Sequence, residues 1–357
     1  MAEKEEKKKR IGIKEVAKLA GVSITTVSRV LNNTRVNEIS LKTQQKVWET
    51  AQSLCYVPNL AGKYLRSGLH FPYVGILFSR GMARLSHEPF FWSIVDEINK
   101  VLSDNGLQRI HLDSRCLLRS ENDENIVLHN LARGVITLDY IDDELLEILR
   151  RFNGPIISVF PTRELDDEFI TIDTDDGKGI VKAVRYLYDL GHRKFVFVSG
   201  LSGEFEHPSF KRRRIACEKA IENLVIKEYK EVYVPNWSRI TRDGLVHETE
   251  QKIVINNIGD STAICTATDY IAAWLLRAFN NFGIDVPLNK SIVGFDDISL
   301  AKLLNPPLTT VHIPTQKIGR YAAEYCLQLI NDKHAIKDKK ILIDVKLIIR
   351  NSCKCII

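Results

Sequence analysis

Near the start of the chain, apolar residues recur with helical spacing. Ile13, Val16, Ala17 and Ala20 share one face, and Gly21-Val22-Ser23 then breaks the period. Ser23 is a favoured N-cap, and Val27, Val30 and Leu31 form the apolar stripe of a second short helix. After the polar stretch 32–38, Ser40 caps a third helix running to about Leu54, with Val47, Ala51 and Leu54 facing inward. Tyr56-Val57-Pro58 closes this three-helix unit, and 59–66 reads as a helix-capable connector ended by Ser67-Gly68.

From Pro72 the pattern changes. Strand-like apolar runs fall at 73–78, 134–138, 156–160, 170–172, 195–199, 263–267 and 291–295, with helix-like runs such as 91–105 and 178–190 between them. Apolar strands alternating with amphipathic helices predict parallel, doubly wound sheets. Roughly 280 residues are too many for one such sheet and suit two similar lobes. The expected fold is therefore a small all-α helix-turn-helix head joined to an α/β core of two lobes. The head is expected over 1–57, the connector over 58–68 and the core over 72–357. One lobe should take 72–176 and 306–331, the other 177–305 and 335–352, the chain crossing near Pro306-Pro307-Leu308-Thr309-Thr310.

Composition narrows the class. Hydrophobic residues make up 45% of the 357, enough for a sizeable core. No apolar stretch approaches the ~18 residues of a membrane span, so no membrane partner is expected. The opening MAEKEEKKKR is not followed by an apolar segment, so no secretory signal is expected. Seven cysteines, widely spaced except Cys353 and Cys355, fit neither a disulfide framework nor a metal site and suggest reduced thiols in the cytoplasm. Charge is more telling. Residues 1–68 carry 13 Lys+Arg against 6 Asp+Glu, whereas the remainder is nearly balanced at 37 against 39. That asymmetry suits a nucleic-acid-binding head on a neutral body.

Two short helices joined by a Gly-containing turn form a helix-turn-helix, whose second helix enters the major groove of double-stranded DNA. Its exposed face would present Ile24, Thr25, Ser28 and Arg29. Arg29 can donate two hydrogen bonds to a guanine edge, Thr25 can reach a base or a phosphate, and Ile24 can press on a thymine methyl. The string 13–23 followed by Thr26-Val27-Ser28-Arg29-Val30-Leu31-Asn32 resembles the head of the LacI/GalR repressor family, and Asn32 joins the DNA-contacting set with it. The resemblance runs on through Tyr56-Val57-Pro58-Asn59, Leu190-Gly191-His192-Arg193, 283–287, 293–297, 307–310 and 347–350, nearly the full length.

In that family paired hinge helices of a dimer enter the minor groove and a leucine kinks the central base step. The resemblance therefore implies a homodimer on operator DNA, a hinge helix over 58–68, and Leu65 as the wedge. Lys63 and Arg66 flank Leu65 and can neutralise phosphates. Gly62-Lys63 replaces the family's usual Ala-Arg.

The core offers polar groups at the C-terminal ends of strands, where a cleft between α/β lobes gathers its ligand contacts. Asp296, Asp269 and Asp175 follow strand-like runs, Arg213 opens a helix after another, and Trp237 sits in a polar loop. Carboxylates, a guanidinium fork and an aromatic face suit a sugar or nucleoside-like small molecule. The resemblance assigns Asp296 and Arg213 to effector binding, with Arg212 and Arg214 leaving the register open. It also likens Trp237, Phe90 and Phe91 to pocket aromatics. Asp175 and Asp269 can equally cap helices, and Phe91 can be plain core. Thr268 for the usual Asn, and Ala216-Cys217 for the usual Gly-aromatic pair, leave the ligand unnamed. No nucleotide-binding loop, nucleophile elbow or zinc-protease motif is present, so neither catalytic residues nor a cofactor is expected. His192, beside Gly191, is expected to cap a helix end. Two rivals remain: a solute-binding protein, which would lack the basic head, and a regulator answering to a partner protein.

Overall fold

The computed structural model describes residues 12–31, 36–54, 71–78, 89–113, 131–200, 207–237, 247–332 and 335–356. The chain divides into two compact bodies, 1–71 and 72–357.

In the first body, helix α1 (Ile13–Ala20) ends at Gly21, whose φ of 66° is the left-handed C-cap geometry that glycine adopts without strain. Ser23 Oγ then accepts the Thr26 amide at 3.0 Å and starts α2 (Ile24–Leu31). A single 3-10 turn over Val36–Glu38 leads to Ser40, which caps α3 (Leu41–Ser53) by accepting the Thr43 amide. The three helices enclose Val16, Ala17, Ala20, Val27, Val30, Val47 and Ala51, with Leu54 packed against them. Burying each such valine contributes about 1.5–3 kcal/mol, the main stabilisation available to so small a unit.

The second body holds two six-stranded sheets. The first runs β11-β5-β4-β3-β1-β2, with β1 (Tyr73–Phe78), β2 (Gln108–Asp113), β3 (Ala132–Leu138), β4 (Ile156–Val159), β5 (Ile170–Thr174) and β11 (Lys340–Ile343) all parallel. The second runs β12-β10-β9-β8-β6-β7. It comprises β6 (Lys194–Ser199), β7 (Glu228–Tyr233), β8 (Ala263–Thr266), β9 (Ser291–Asp296) and β10 (Thr309–His312), with β12 (Lys346–Ile348) antiparallel at its edge. Helices α4 (Pro89–Asp104), α5 (Asp143–Arg150) and α10 (Thr315–Asn331) accompany the first sheet, and α6 (Asp176–Asp189), α7 (Pro208–Glu222), α8 (Glu248–Ile258) and α9 (Asp269–Asn281) the second.

The expected lobe boundaries need correction at the late crossings. Thr309–His312 pairs with β9 rather than joining the first lobe, so the chain crosses after it, and α10 packs on α4. Lys340–Ile343 pairs with β5, not with the second lobe, and the return crossing follows it. Short strands added at sheet edges carry too little pattern to reveal their sheet.

His192 is also corrected. It is buried: Nδ1 lies 2.9 Å from Thr262 Oγ1, and Nε2 lies 2.9 Å from Ser291 Oγ and 3.3 Å from the Lys354 carbonyl. Burial lowers its pKa and favours the neutral ring, which ties α6 to the second sheet and the C-terminal segment.

Candidate functional site

Helix α7 carries the central group. His207 caps it and Pro208 supplies the first helical residue, a position that tolerates the missing amide hydrogen. Three consecutive arginines then diverge around the helix by its 100° step. Arg212 reaches back to the first sheet, donating to Asp173 at 3.0 Å and lying 3.5 Å from Asp176. Arg214 turns outward to Glu231 on β7 at 3.2 Å. Arg213 points between them into the strand ends of the second sheet. There it donates to the Ala267 carbonyl at 2.6 Å and to Asp296 at 3.1 Å, with Nε 3.4 Å from Asp176. Its guanidinium lies 3.8 Å from the centre of the Phe295 ring. Of the three arginines, Arg213 is the one that meets Asp296, while Arg212 and Arg214 turn to Asp173 and Glu231.

Arg213 is buried, which by itself disfavours its charge, but the carboxylates of Asp176 and Asp296 outweigh burial and raise its pKa. Asp296 and Asp297 both adopt positive φ, 112° and 55°, a conformation that costs energy in residues other than glycine. Asp297 is fixed by Arg350 at 2.5 Å and by His312 at 3.0 Å. Burial opposes its ionisation, yet these hydrogen bonds hold its carboxyl below the usual range. Arg350 also donates to the Leu308 carbonyl at 2.7 Å, so the strained turn is braced from β10 and the C-terminal segment.

The other expected core residues separate into distinct positions. Asp269 is fully buried; it accepts the Ile298 amide at 2.9 Å and the Thr310 hydroxyl at 2.5 Å. Burial, then the neighbouring Asp296 charge, raises its pKa well above the ordinary value. Both oxygens serve the packing of β9 and β10, so its expected role in ligand contact is corrected to a structural one. Asp175 caps α6, accepting the Lys178 amide at 3.0 Å with the Lys178 ammonium 3.0 Å away, and makes no contact with the Arg213 cluster. Partial burial opposes its charge, but the Lys178 bonds prevail and lower its pKa. Its neighbour Asp176, which the sequence reading passed over, occupies that cluster and also accepts the Thr174 hydroxyl at 2.8 Å. The signal was the doubled Asp175-Asp176, of which one caps and the other turns inward.

Trp237 is buried against Gly200 at the end of β6, where an added Cβ would lie 2.2 Å from the indole. On the first-lobe side, Phe90 and Phe91 meet edge to face at 5.3 Å, and Phe160 joins them at 5.7 and 6.4 Å. The apolar run 156–160 would make Phe160 the last residue of a strand, but its φ of 54° turns it out of β4.

In the head, Ile24 and Thr25 are exposed, and Ser28 and Arg29 are half-buried on the same side of α2. Arg29 donates to Glu38 at 3.1 Å. Asn32, Lys63, Leu65 and Arg66 lie outside the described residues. Among the described residues no His/Cys/Asp/Glu group could hold a metal ion, and no helix is long and apolar enough to cross a membrane.

Residues 12–59 match the bacterial regulatory proteins, lacI family, and residues 184–353 match the periplasmic binding protein-like domain. Similar proteins include the HTH-type transcriptional repressor PurR of Photobacterium profundum, 28% identical over 351 residues, covering 96% of this chain and 98% of that one. The probable HTH-type transcriptional repressor ExuR of Bacillus subtilis is 28% identical over 347 residues, with 96% and 98% covered. Among solved structures, a lac repressor dimer bound to operator and the anti-inducer ONPF superposes with a TM-score of 0.73. It is 23% identical, with 97% of this chain and 100% of that chain covered. A CelR–cellobiose complex gives 0.66 at 24% identity, with 96% and 100% covered.

The fold and the head define a DNA-binding transcriptional regulator. Its head matches the lacI family of bacterial regulatory proteins, and nearly its whole length is similar to repressors that share this head.

Proposed function

We propose that this regulator is a cytoplasmic repressor, without catalytic activity, that grips double-stranded operator DNA as a homodimer. A small hydroxyl-rich effector, a sugar or sugar derivative, controls that grip from between the two lobes. The head would span 1–57, the hinge 58–68 and the effector-binding core 72–357. The observation that carries this reading is Arg213, buried at the strand ends with its donors aimed at Asp296 and its face on Phe295. A fixed guanidinium beside a carboxylate offers donors and acceptors together, the set a vicinal diol needs, while Phe90, Phe91 and Trp237 supply surface for C–H faces. Relatives named as repressors and a neighbour complexed with cellobiose support the same assignment.

Thermal melting of the full chain against a panel of mono- and disaccharides, uronates and nucleosides tests it. A true effector stabilises by mass action, by about 2.7 kcal/mol at a hundredfold excess over Kd. Failure of every panel member to raise the melting temperature would remove the effector class proposed.

A further inference from the structure

Two partly exposed side chains from opposite lobes meet, Asp139 and His207. Asp139 is the first residue beyond β3 and adopts a φ of 69°, turning away from the strand. His207 caps α7 on the other lobe, and its Nε2 lies 3.0 Å from Asp139 Oδ1. Its Nδ1 accepts the Ser209 amide at 3.3 Å and lies 2.7 Å from Ser209 Oγ. With Nδ1 accepting from the backbone, Nε2 is the nitrogen that carries a proton and donates to Asp139. Phe210 packs beside the imidazole, ring centres 5.6 Å apart, limiting its swing. One and a half turns along the same helix, Arg212 makes the second crossing to Asp173 on β5. Helix α7 thus touches the first lobe at two points while its next residue, Arg213, holds Asp296.

We propose that Asp139 and His207 are positioning residues that latch the lobes closed over the Arg213–Asp296 site. The latch sets how much of the effector-free chain is closed, and Arg212–Asp173 supplies a second, separate crossing between the lobes. This deepens the reading of the cleft as the effector site, and it makes no claim about which effector enters. A ligand shifts such an equilibrium only by its differential affinity for the two states, so the latch tunes the response without touching the ligand.

Small-angle scattering of the ligand-free, full-length protein tests the latch. Asp139→Asn removes the charge and suits the left-handed backbone, since asparagine tolerates positive φ well. His207→Ala removes the other partner. Each should enlarge the radius of gyration, the ratio of closed to open forms falling about two- to fivefold, as for loss of one partly exposed hydrogen bond. The exchanged pair, Asp139→His with His207→Asp, should restore the parent's curve, because histidine also tolerates this backbone region. Scattering curves for both single variants that coincide with the parent's would overturn the proposal. So would an exchanged pair that stays as open as the singles while melting at their temperature. The readout needs neither operator nor effector, so its failure is distinct from a failure of the function proposed above.

Discussion

Arg213 and Asp296 meet at 3.1 Å although they lie 83 residues apart and on different elements. Asp176 holds the far side of the same guanidinium, so one cation is shared by two buried or nearly buried carboxylates. This arrangement makes the two halves of the pair unequal targets for mutation. Asp296→Asn keeps the shape and leaves Arg213 paired with Asp176, so it should fold normally, lose the effector response and retain operator affinity. Arg213→Ala strands two carboxylates in a dry setting and should cost about 3–5 kcal/mol of stability. Melting curves and effector titrations of both variants check the difference: a loss of response in Arg213→Ala alone would relocate the effector contact.

Asp269 and Gly294 define a second, purely structural locus. A Cβ at position 294 would sit 2.2 Å from Asp269 Oδ1 and 2.7 Å from Leu308. Gly294→Ala and Asp269→Ala should each destabilise the core and lower its melting temperature, the latter costing about 1–3 kcal/mol of stability for the buried donors left unsatisfied. Neither should alter the fold-change that a bound effector produces in operator affinity among molecules that remain folded.

Asp173 carries a pH signature. Burial raises its pKa to about 6 despite the attraction of Arg212. An acid whose folded pKa exceeds its unfolded value binds more protons when folded, so its contribution to stability falls as pH rises between the two values and is flat above the higher one. Between pH 4 and 6, therefore, this group should make the core progressively less stable. Asp173→Asn should remove that slope. Denaturant midpoints at several pH values measure it, and an identical slope in the variant would contradict the assignment.

In the free head Arg29 is engaged with Glu38 at 3.1 Å, so base reading requires that pair to open. The pair is exposed enough that its own worth is small, about 0.2–1 kcal/mol. Glu38→Gln should accordingly tighten operator binding slightly, whereas Arg29→Ala should weaken it by about 1–3 kcal/mol and relax preference at one base. Both should keep the steep salt dependence expected from 13 basic residues against 6 acidic in 1–68. Anisotropy titrations over a salt series would show it, and tighter binding by Arg29→Ala would count against α2 as the reading helix.

Much of the fold was legible because the signals were local. The cap residues Ser23 and Ser40 and the stripes Val16–Ala20 and Val27–Leu31 specify the head without reference to anything distant. Buried strands such as Tyr73–Phe78 and Ser291–Asp296 announce themselves as apolar runs. The edge strands β2 and β7 do not: Gln-Arg-Ile-His-Leu-Asp and Glu-Tyr-Lys-Glu-Val-Tyr bury one face at most, so charge masks them. In the site, Asp296 and Arg213 followed from strand ends and resemblance. Choosing Asp176 over Asp175 needed the three-dimensional direction of two adjacent side chains, and the Asp139–His207 contact depends on two lobes meeting. Phe160 was hidden for a related reason, since only a positive φ separates it from an ordinary strand residue.

Operator affinity with and without effector, in the parent and in Asp296→Asn, tests the central claim most directly. A DNA fragment selected from random sequence by the full-length protein serves as operator, and the sugar that most raises the parent's melting temperature serves as effector. The account predicts that the sugar changes the parent's operator affinity by about 5- to 150-fold, the usual range for coupled sites. Asp296→Asn should bind the same DNA as tightly as the parent does without sugar, and should not respond to it. An equal response in both proteins, or a sugar that stabilises the core without changing operator affinity, would contradict it.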